Sequence, residues 1–183
     1  PNGADNAEDD NGHGTHVSGI ISSAGVLSPV GVASNTRIHT VKVLDSSNGF
    51  SSSSIIIEAL DHIINNLPQV NLVNMSLGTY DRFESFCDDQ YVYTRAFANV
   101  INTLRERGTL SFVASMNNAS SNSISAPACI ANAISVGAVW DTDPYSYNGE
   151  CFESNPTPDH MACFSNSSIA LDILAPGSPI RAA

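Results

Sequence analysis

Short apolar runs alternate along this chain with stretches of helical periodicity. The runs are rich in Val, Ile, Leu and Ala, as in strands that are buried on both faces. They fall at residues 38–44, 70–75, 110–114, 133–139 and 169–174. Helical stretches or polar connections separate them. The pattern predicts an α/β fold in which a mostly parallel sheet is flanked by helices.

Two long helices are predicted between these strands. In residues 55–66 the apolar side chains recur at three- and four-residue spacing and share one face. They are Ile56, Ala59, Leu60, Ile63 and Ile64. The serine run 51–54 supplies an N-cap, and Pro68 lies just past the end. The second helix covers residues 91–107 and is stopped by Gly108.

The chain of 183 residues is long enough for one domain with a substantial core. No internal repeat or linker interrupts it, so we interpret residues 1–183 as a single domain. Residues 24–34 and the polar stretch 79–89 are predicted loops. In open parallel sheets, sites form beyond the carboxyl ends of the strands, here near Ser76 and Ser115.

Composition narrows the class of protein. Apolar residues make up 42% and charged residues 14%, as in globular proteins. The net charge of −11 argues against nucleic acid and anionic membranes as partners. No run of 18 apolar residues is present, so we expect no membrane span. The start at Pro1, without methionine or signal peptide, is interpreted as that of a mature or truncated segment.

The four cysteines form no C-x-x-C pair, and their even number is compatible with an oxidising compartment. Cys151 and Cys163 bracket a short loop and would form a reasonable disulfide, with Cys87 and Cys129 as the complement. The sequence does not fix this connectivity, and four buried thiols remain an alternative. Three glycosylation sequons begin at Asn74, Asn118 and Asn166, of which Asn74 is expected to be buried.

Residues 11–20, Asn-Gly-His-Gly-Thr-His-Val-Ser-Gly-Ile, place a histidine between two glycines at the start of a predicted helix. The helical spacing that follows is carried by Val17, Ile20 and Ile21. The glycines allow close approach to an imidazole that titrates near neutral pH, so His13 is a candidate general base. Alternatively, His13 and His16 bind a metal from one helical face, or both are core histidines. For His16 we prefer the packing role.

This segment closely resembles the catalytic-histidine block of subtilisin-like serine proteases, with His13 as the base. Ser76-Leu77-Gly78 is similar to the family's strand end whose backbone pairs with an extended peptide substrate. Residues 124–139 resemble the stretch from the far pocket wall into a core strand, and 162–177 the approach to the catalytic serine. The resemblance thus extends from His13 to Gly177 and implies the family's fold.

The resemblance also gives Asn117 a catalytic role. The strand at 110–114 is followed by Ser-Met-Asn-Asn, and the family's matching asparagine donates to the oxyanion of the tetrahedral intermediate. Asn118 takes this place if the register slips by one. Met116 replaces the usual glycine beside the pocket for the first non-primed side chain of the substrate. A methionine there is expected to narrow or reshape that pocket, or to displace Asn117.

Two members of the family's triad have no match. In subtilisin the aspartate precedes the histidine by about 30 residues. The acidic residues before His13 are too close to it: Asp5, Asp9 and Asp10. Asp9 or Asp10 is expected near the substrate rim instead. Three serines lack the glycine-flanked turn of the nucleophile and are interpreted as structural: Ser165, Ser167 and Ser168. We interpret the chain as the centre of a longer catalytic domain, incomplete at both ends and inactive alone.

The resemblance implies a secreted, monomeric serine endopeptidase that cleaves protein or peptide substrates through an acyl-enzyme. No cofactor is expected, because the loop 23–34, which binds calcium in many relatives, begins without an Asn or Asp side chain. One alternative is a catalytically silent peptide-binding domain of the same fold, in which Met116 marks a disused pocket. Another is a metal-binding protein that uses His13 and His16.

Overall fold

The computed structural model describes residues 7–142 and 146–182. Two compact units are present, residues 60–180 and residues 1–59 with 181–183. The elements, in chain order, are α1 (His13–Ser22), α2 (Ser53–Asn66), β1 (Leu72–Met75), β2 (Arg82–Phe83), α3 (Val92–Glu106), β3 (Leu110–Ala114), β4 (Ile124–Ser125), β5 (Ile134–Trp140), β6 (Ser146–Asn148), β7 (Phe152–Ser154) and β8 (Ile173–Ser178). In the described ranges, no helix is long and apolar enough to cross a membrane.

The unit of residues 60–180 is built on a four-stranded sheet of order β1-β3-β5-β8. All three neighbouring pairs are parallel, which confirms the α/β prediction. Leu72 pairs with Leu110, and Phe112 pairs with Ile134, so β3 lies between β1 and β5 in register. The carboxyl ends of β1 and β3 are therefore neighbours.

Helix α3 packs against β3 through one apolar stripe. Its buried residues recur at helical spacing: Thr94, Phe97, Ala98, Val100, Ile101 and Leu104. The predicted stop at Gly108 is confirmed, because this glycine has a φ of 88°, a conformation that favours glycine. The Arg107 side chain donates from Nη1 to the carbonyls of Ile63 and Ile64, which satisfies two backbone acceptors in the last turn of α2.

Helix α2 begins as the serine run predicts. The Ser54 backbone N–H donates to Ser52 Oγ over 3.2 Å, an N-cap interaction. The predicted apolar face is buried at four of its five positions: Ile56, Ala59, Leu60 and Ile63. Ile64 is half-buried.

Two strand predictions are wrong. Residues 38–44 form no strand, because a strand requires a paired neighbouring strand and none pairs with this segment within the described ranges. The last strand begins at Ile173, so only the end of the predicted segment 169–174 belongs to it. In both cases the apolar pattern reports which side chains avoid water, whereas backbone pairing decides where a strand exists.

Two short antiparallel pairs are additions to the predicted fold. Strand β2, inside the predicted loop 79–89, pairs with β4, and β6 pairs with β7 as a hairpin. The disulfides Cys87–Cys129 and Cys151–Cys163 tie these regions to the rest of their unit, which confirms the pairing that the spacing favoured. The hairpin also packs Tyr147 against Trp140 and Phe164.

The unit of residues 1–59 with 181–183 contains α1 and a long irregular segment. The segment closes on the end of α1, where Val32 N–H donates to Ile20 O and Ala33 N–H to Ile21 O. Gly31 lies so close to this backbone that a Cβ atom would be 2.5 Å from the nitrogen of Ser23. The apolar stripe of α1 is only partly covered, and Ile20 is 36% exposed.

Candidate functional site

His13 is the first residue of α1 and is half-buried. Gly12 precedes it with a φ of 100°, a backbone conformation that favours glycine. The His13 backbone N–H donates to Asn11 Oδ1 over 3.3 Å. The helix thus presents the imidazole at its N-terminus, as the sequence predicts.

The carboxylate of Asp9 organises the start of this helix. Oδ1 accepts hydrogen bonds from the backbone N–H of Asn11 (3.0 Å) and Gly12 (2.8 Å). Oδ2 accepts from both the backbone N–H and the hydroxyl of Thr15, each over 2.7 Å. These bonds, the Thr15 hydroxyl first, hold the pKa of Asp9 well below its ordinary value. Sequence reasoning missed this role, although an acidic residue just before a helix is a signal for it.

Asp10 and Asn11 connect the same segment to more distant parts of their unit. Asp10 forms an ion pair with Lys42, with 2.6 Å between Oδ1 and Nζ. Asn11 donates from Nδ2 to the Ser46 carbonyl over 2.9 Å. His16 lies one turn after His13 and is half-buried. Among the described residues no group of three or more potential metal ligands is present, so the structure adds no support to the metal-binding alternative.

A separate group of candidate residues lies in the unit of residues 60–180, at the carboxyl ends of β1 and β3. Ser76, Leu77 and Gly78 follow β1 and are half-buried. Ser76 Oγ accepts from Asn74 Nδ2 over 3.1 Å, and Thr79 N–H donates to the Ala126 carbonyl over 2.8 Å. Asn74 is exposed, so the expectation that it is buried is wrong. It belongs to β1, an edge strand whose other side has no paired strand in the described chain.

Met116 follows β3 and lies directly against Gly78. A methyl group built on Gly78 would lie 2.7 Å from Met116 Cγ and 2.9 Å from its Sδ. Ser125 is the next neighbour, with its Cβ 3.3 Å from the same point. The backbone of Met116 has a φ of 80°, the left-handed region that normally favours glycine. Its thioether therefore occupies the space beside Gly78 at some backbone strain.

Asn117 is exposed in the turn that follows Met116. The turn runs beside residues 164–167, where Ala119 N–H donates to the Phe164 carbonyl and Ser167 N–H to that of Ser120. Of the residues proposed from the sequence, Gly78, Met116 and Asn117 thus come together at one edge of the sheet. His13 belongs to the other unit.

The serines interpreted as structural make backbone contacts. Ser165 is buried, and its Oγ accepts from the Ala138 N–H over 2.9 Å. Ser168 Oγ accepts from the Ala170 N–H over 3.0 Å. Both hydroxyls accept hydrogen bonds from backbone N–H groups.

Comparison with known proteins defines the class. The Subtilase family profile matches residues 1–182. The alkaline proteinase of Hapsidospora chrysogena is 35% identical over 99% of this chain and 38% of its own length. Subtilisin Savinase of Lederbergia lenta is 35% identical over 98% of this chain and 55% of its own length. A crystal structure of a cold-adapted subtilisin-like serine proteinase superposes with a TM-score of 0.70, at 27% identity, over 97% of this chain and 53% of that chain.

This chain belongs to the subtilase family. It is also 34% identical, over 97% of this chain, to the extracellular serine proteinase of Thermus sp.. The chain spans only about 35% to 55% of the length of these three curated relatives.

Proposed function

We propose that these 183 residues are the central part of a secreted serine endopeptidase that hydrolyses peptide bonds through an acyl-enzyme. The observation that carries this proposal is the meeting of Gly78, Met116 and Asn117 at the carboxyl edge of the sheet, in a member of the subtilase family. Names of relatives, one of them extracellular, and two disulfides support secretion.

Each residue then has a defined role. His13 accepts the proton of the serine hydroxyl as it attacks the scissile carbonyl, and returns it to the leaving amine. The Asn117 amide donates a hydrogen bond to the oxyanion that develops on that carbonyl. Residues 76–78 bind the substrate backbone as an added strand, independently of its side chains. The attacking serine and the aspartate that orients His13 have no match in the chain. The substrate is a protein or peptide, and we expect the 183-residue chain to be monomeric.

Met116 is the feature of this site that separates the chain from the family pattern. Its thioether fills the space beside Gly78 in which the family's pocket for the first non-primed side chain begins. We therefore expect cleavage after small residues. We compare peptide substrates with a large apolar residue or with alanine immediately before the scissile bond. Met116→Gly is expected to raise the ratio of their kcat/KM values about tenfold or more in favour of the large residue, because a few methylenes of pocket space are worth roughly 1–3 kcal/mol.

The same observation favours a second candidate, a peptide-binding domain of subtilase fold without catalysis. The two functions can be distinguished by experiments on a longer polypeptide that contains these residues and has the length of the curated relatives. A protease hydrolyses peptide amides there and is labelled by a serine-directed fluorophosphonate. A binding domain binds peptides at the strand edge formed by residues 76–78, but it neither hydrolyses them nor is labelled by the fluorophosphonate.

The residue assignments are tested by substitution in the same polypeptide. His13→Ala is expected to lower kcat by about 10⁶-fold, and Asn117→Ala by about 10²–10³-fold, magnitudes that were measured in subtilisin itself. His62→Ala, which removes an exposed histidine of α2, is the matched control and should leave kcat unchanged. Retention of activity in His13→Ala would exclude it as the general base. If Asn118→Ala has the large effect and Asn117→Ala has none, the oxyanion donor is Asn118.

A further inference from the structure

Asn166 is completely buried and contacts the turn that carries Asn117. Its side-chain Oδ1 accepts hydrogen bonds from the backbone N–H of Asn118 (2.8 Å) and of Ser120 (3.1 Å). Its Nδ2 donates to Asn118 Oδ1 over 3.1 Å, and its backbone N–H donates to the Met116 carbonyl over 2.8 Å. One residue from the segment between β7 and β8 therefore makes four hydrogen bonds to a turn that lies 46 to 50 positions earlier in the chain.

The two peptide groups that flank Asn117 are both among these partners. The Met116 carbonyl belongs to the peptide group before the Asn117 Cα, and the Asn118 N–H belongs to the peptide group after it. Fixing both planes fixes the Cα and the direction in which the Asn117 side chain leaves the backbone. Asn117 itself is exposed, so its side chain projects into solvent from a backbone that these hydrogen bonds hold.

The orientation of the Asn166 amide follows from its partners. Two backbone N–H groups point at one side-chain atom, and because an N–H can only donate, that atom is the oxygen. The neighbouring Ser165 anchors the segment to β5, where its Oγ accepts from the Ala138 N–H. The buried, hydrogen-bonded residues Ser165 and Asn166 thereby connect the turn to the sheet, and such buried polar networks favour one geometry.

We propose that Asn166 is the positioning residue of the candidate oxyanion donor: it holds Asn117 at the angle from which the amide reaches the developing oxyanion. This inference rests on the proposed function for its catalytic part and on the hydrogen bonds alone for its structural part. Asn166 also begins a glycosylation sequon, and its complete burial assigns this asparagine to the interior.

The structural part is tested on the 183-residue chain by amide hydrogen exchange. In the unaltered chain the N–H groups of Asn118 and Ser120 are expected to exchange about 100-fold or more slowly than unprotected amides, although Asn118 is exposed. Asn166→Ala is expected to accelerate both about tenfold or more. Ser135→Ala, which truncates another buried polar side chain that contacts Ala170 and Asp172, is the matched control and should leave both rates unchanged. Unprotected amides in the unaltered chain, or equal acceleration in the control, would overturn the proposal.

The catalytic part is tested in the active polypeptide by a double-mutant cycle. Asn166→Ala is expected to lower kcat about tenfold or more with little change in KM, because only the transition state carries the oxyanion. If Asn166 acts through Asn117, the variant Asn117→Ala/Asn166→Ala loses no more kcat than Asn117→Ala alone. Additive losses would mean a general structural role and overturn the proposal. An unchanged kcat in Asn117→Ala alone would instead refute the oxyanion assignment of the proposed function, and the exchange rates would still decide whether Asn166 fixes the turn.

Discussion

Asp9 stabilises the start of the histidine helix by accepting four hydrogen bonds with one carboxylate. Three of the donors are backbone N–H groups in or next to the first turn of α1, which have no partner within the helix, and the carboxylate charge also complements the positive end of the helix dipole. The same residue was expected at the substrate rim on the strength of its position before His13. Its bonds to Gly12 and Thr15 give it a capping role, and its place at the substrate rim stays a prediction.

Asp9→Asn is expected to lower the melting temperature at pH 7. The pKa of Asp9 is depressed in the folded chain, so its stabilising contribution is present above the unfolded pKa of about 4 and is lost as the pH falls through the lower folded value. The difference between the variant and the unaltered chain should therefore shrink steadily below pH 4. Thermal unfolding followed by circular dichroism from pH 2 to pH 7 measures this. Asp61→Asn, an exposed carboxylate of α2, is the control; a pH-independent difference for Asp9→Asn would refute the assignment.

Gly78 and Met116 form a second residue-scale pair. Gly78→Ala is expected to destabilise the chain by about 1–3 kcal/mol, because its methyl group would overlap the Met116 side chain. The cost should largely disappear in a Met116→Gly background, where the neighbouring side chain is absent. Urea unfolding of the two single variants and the double variant gives the coupling free energy. Additive effects would show that the two residues do not share this space.

At the scale of elements, local patterns predicted helices better than strand boundaries. Helix α3 ends at Glu106, beside the glycine that was expected to stop it, because the signals that end a helix lie within a few residues of its end. The segment 38–44 has the apolar pattern of a strand and forms none in the described chain, since a strand needs a paired neighbouring strand and a local pattern does not report whether one is present. For the same reason the pairing of β2 with β4 was not foreseen.

The two disulfides should contribute unequally to stability. Their sequence separations are 42 for Cys87–Cys129 and 12 for Cys151–Cys163. A longer closed loop removes more entropy from the unfolded chain, by about 4 kcal/mol for the first bond and about 3 kcal/mol for the second. Chemical unfolding of the two paired Cys→Ala variants measures both costs. A larger loss for the Cys151/Cys163 variant would contradict this order.

At the scale of the whole molecule, the proposed activity requires groups from several separate segments of a catalytic domain. We interpret His13 and Asn117 as matches to the family's histidine and asparagine, and we propose that the triad aspartate and serine have no match in these 183 residues. Residues of a triad act as one unit, so partial sets are not expected to give partial activity.

We therefore expect no peptide hydrolysis by the isolated 183-residue chain, and hydrolysis by the polypeptide of relatives' length. The measurement is release of a fluorogenic amide from a peptide with alanine before the scissile bond, at equal molar concentrations of both proteins. Heat-denatured enzyme sets the background. Hydrolysis by the isolated chain that a serine-directed inhibitor abolishes would contradict the expectation.

The sequence by itself determined the family, the parallel α/β architecture, the helices α2 and α3, and the candidates His13 and Asn117. These follow from local periodicity, from capping residues and from short motifs whose chemistry is readable residue by residue. Only the tertiary structure decided that residues 38–44 form no strand within the described ranges, that Met116 lies against Gly78 and that Asn166 makes hydrogen bonds to the turn around Asn117. Such contacts join segments far apart in the chain, and no local pattern encodes the side-chain geometry with which two distant segments meet.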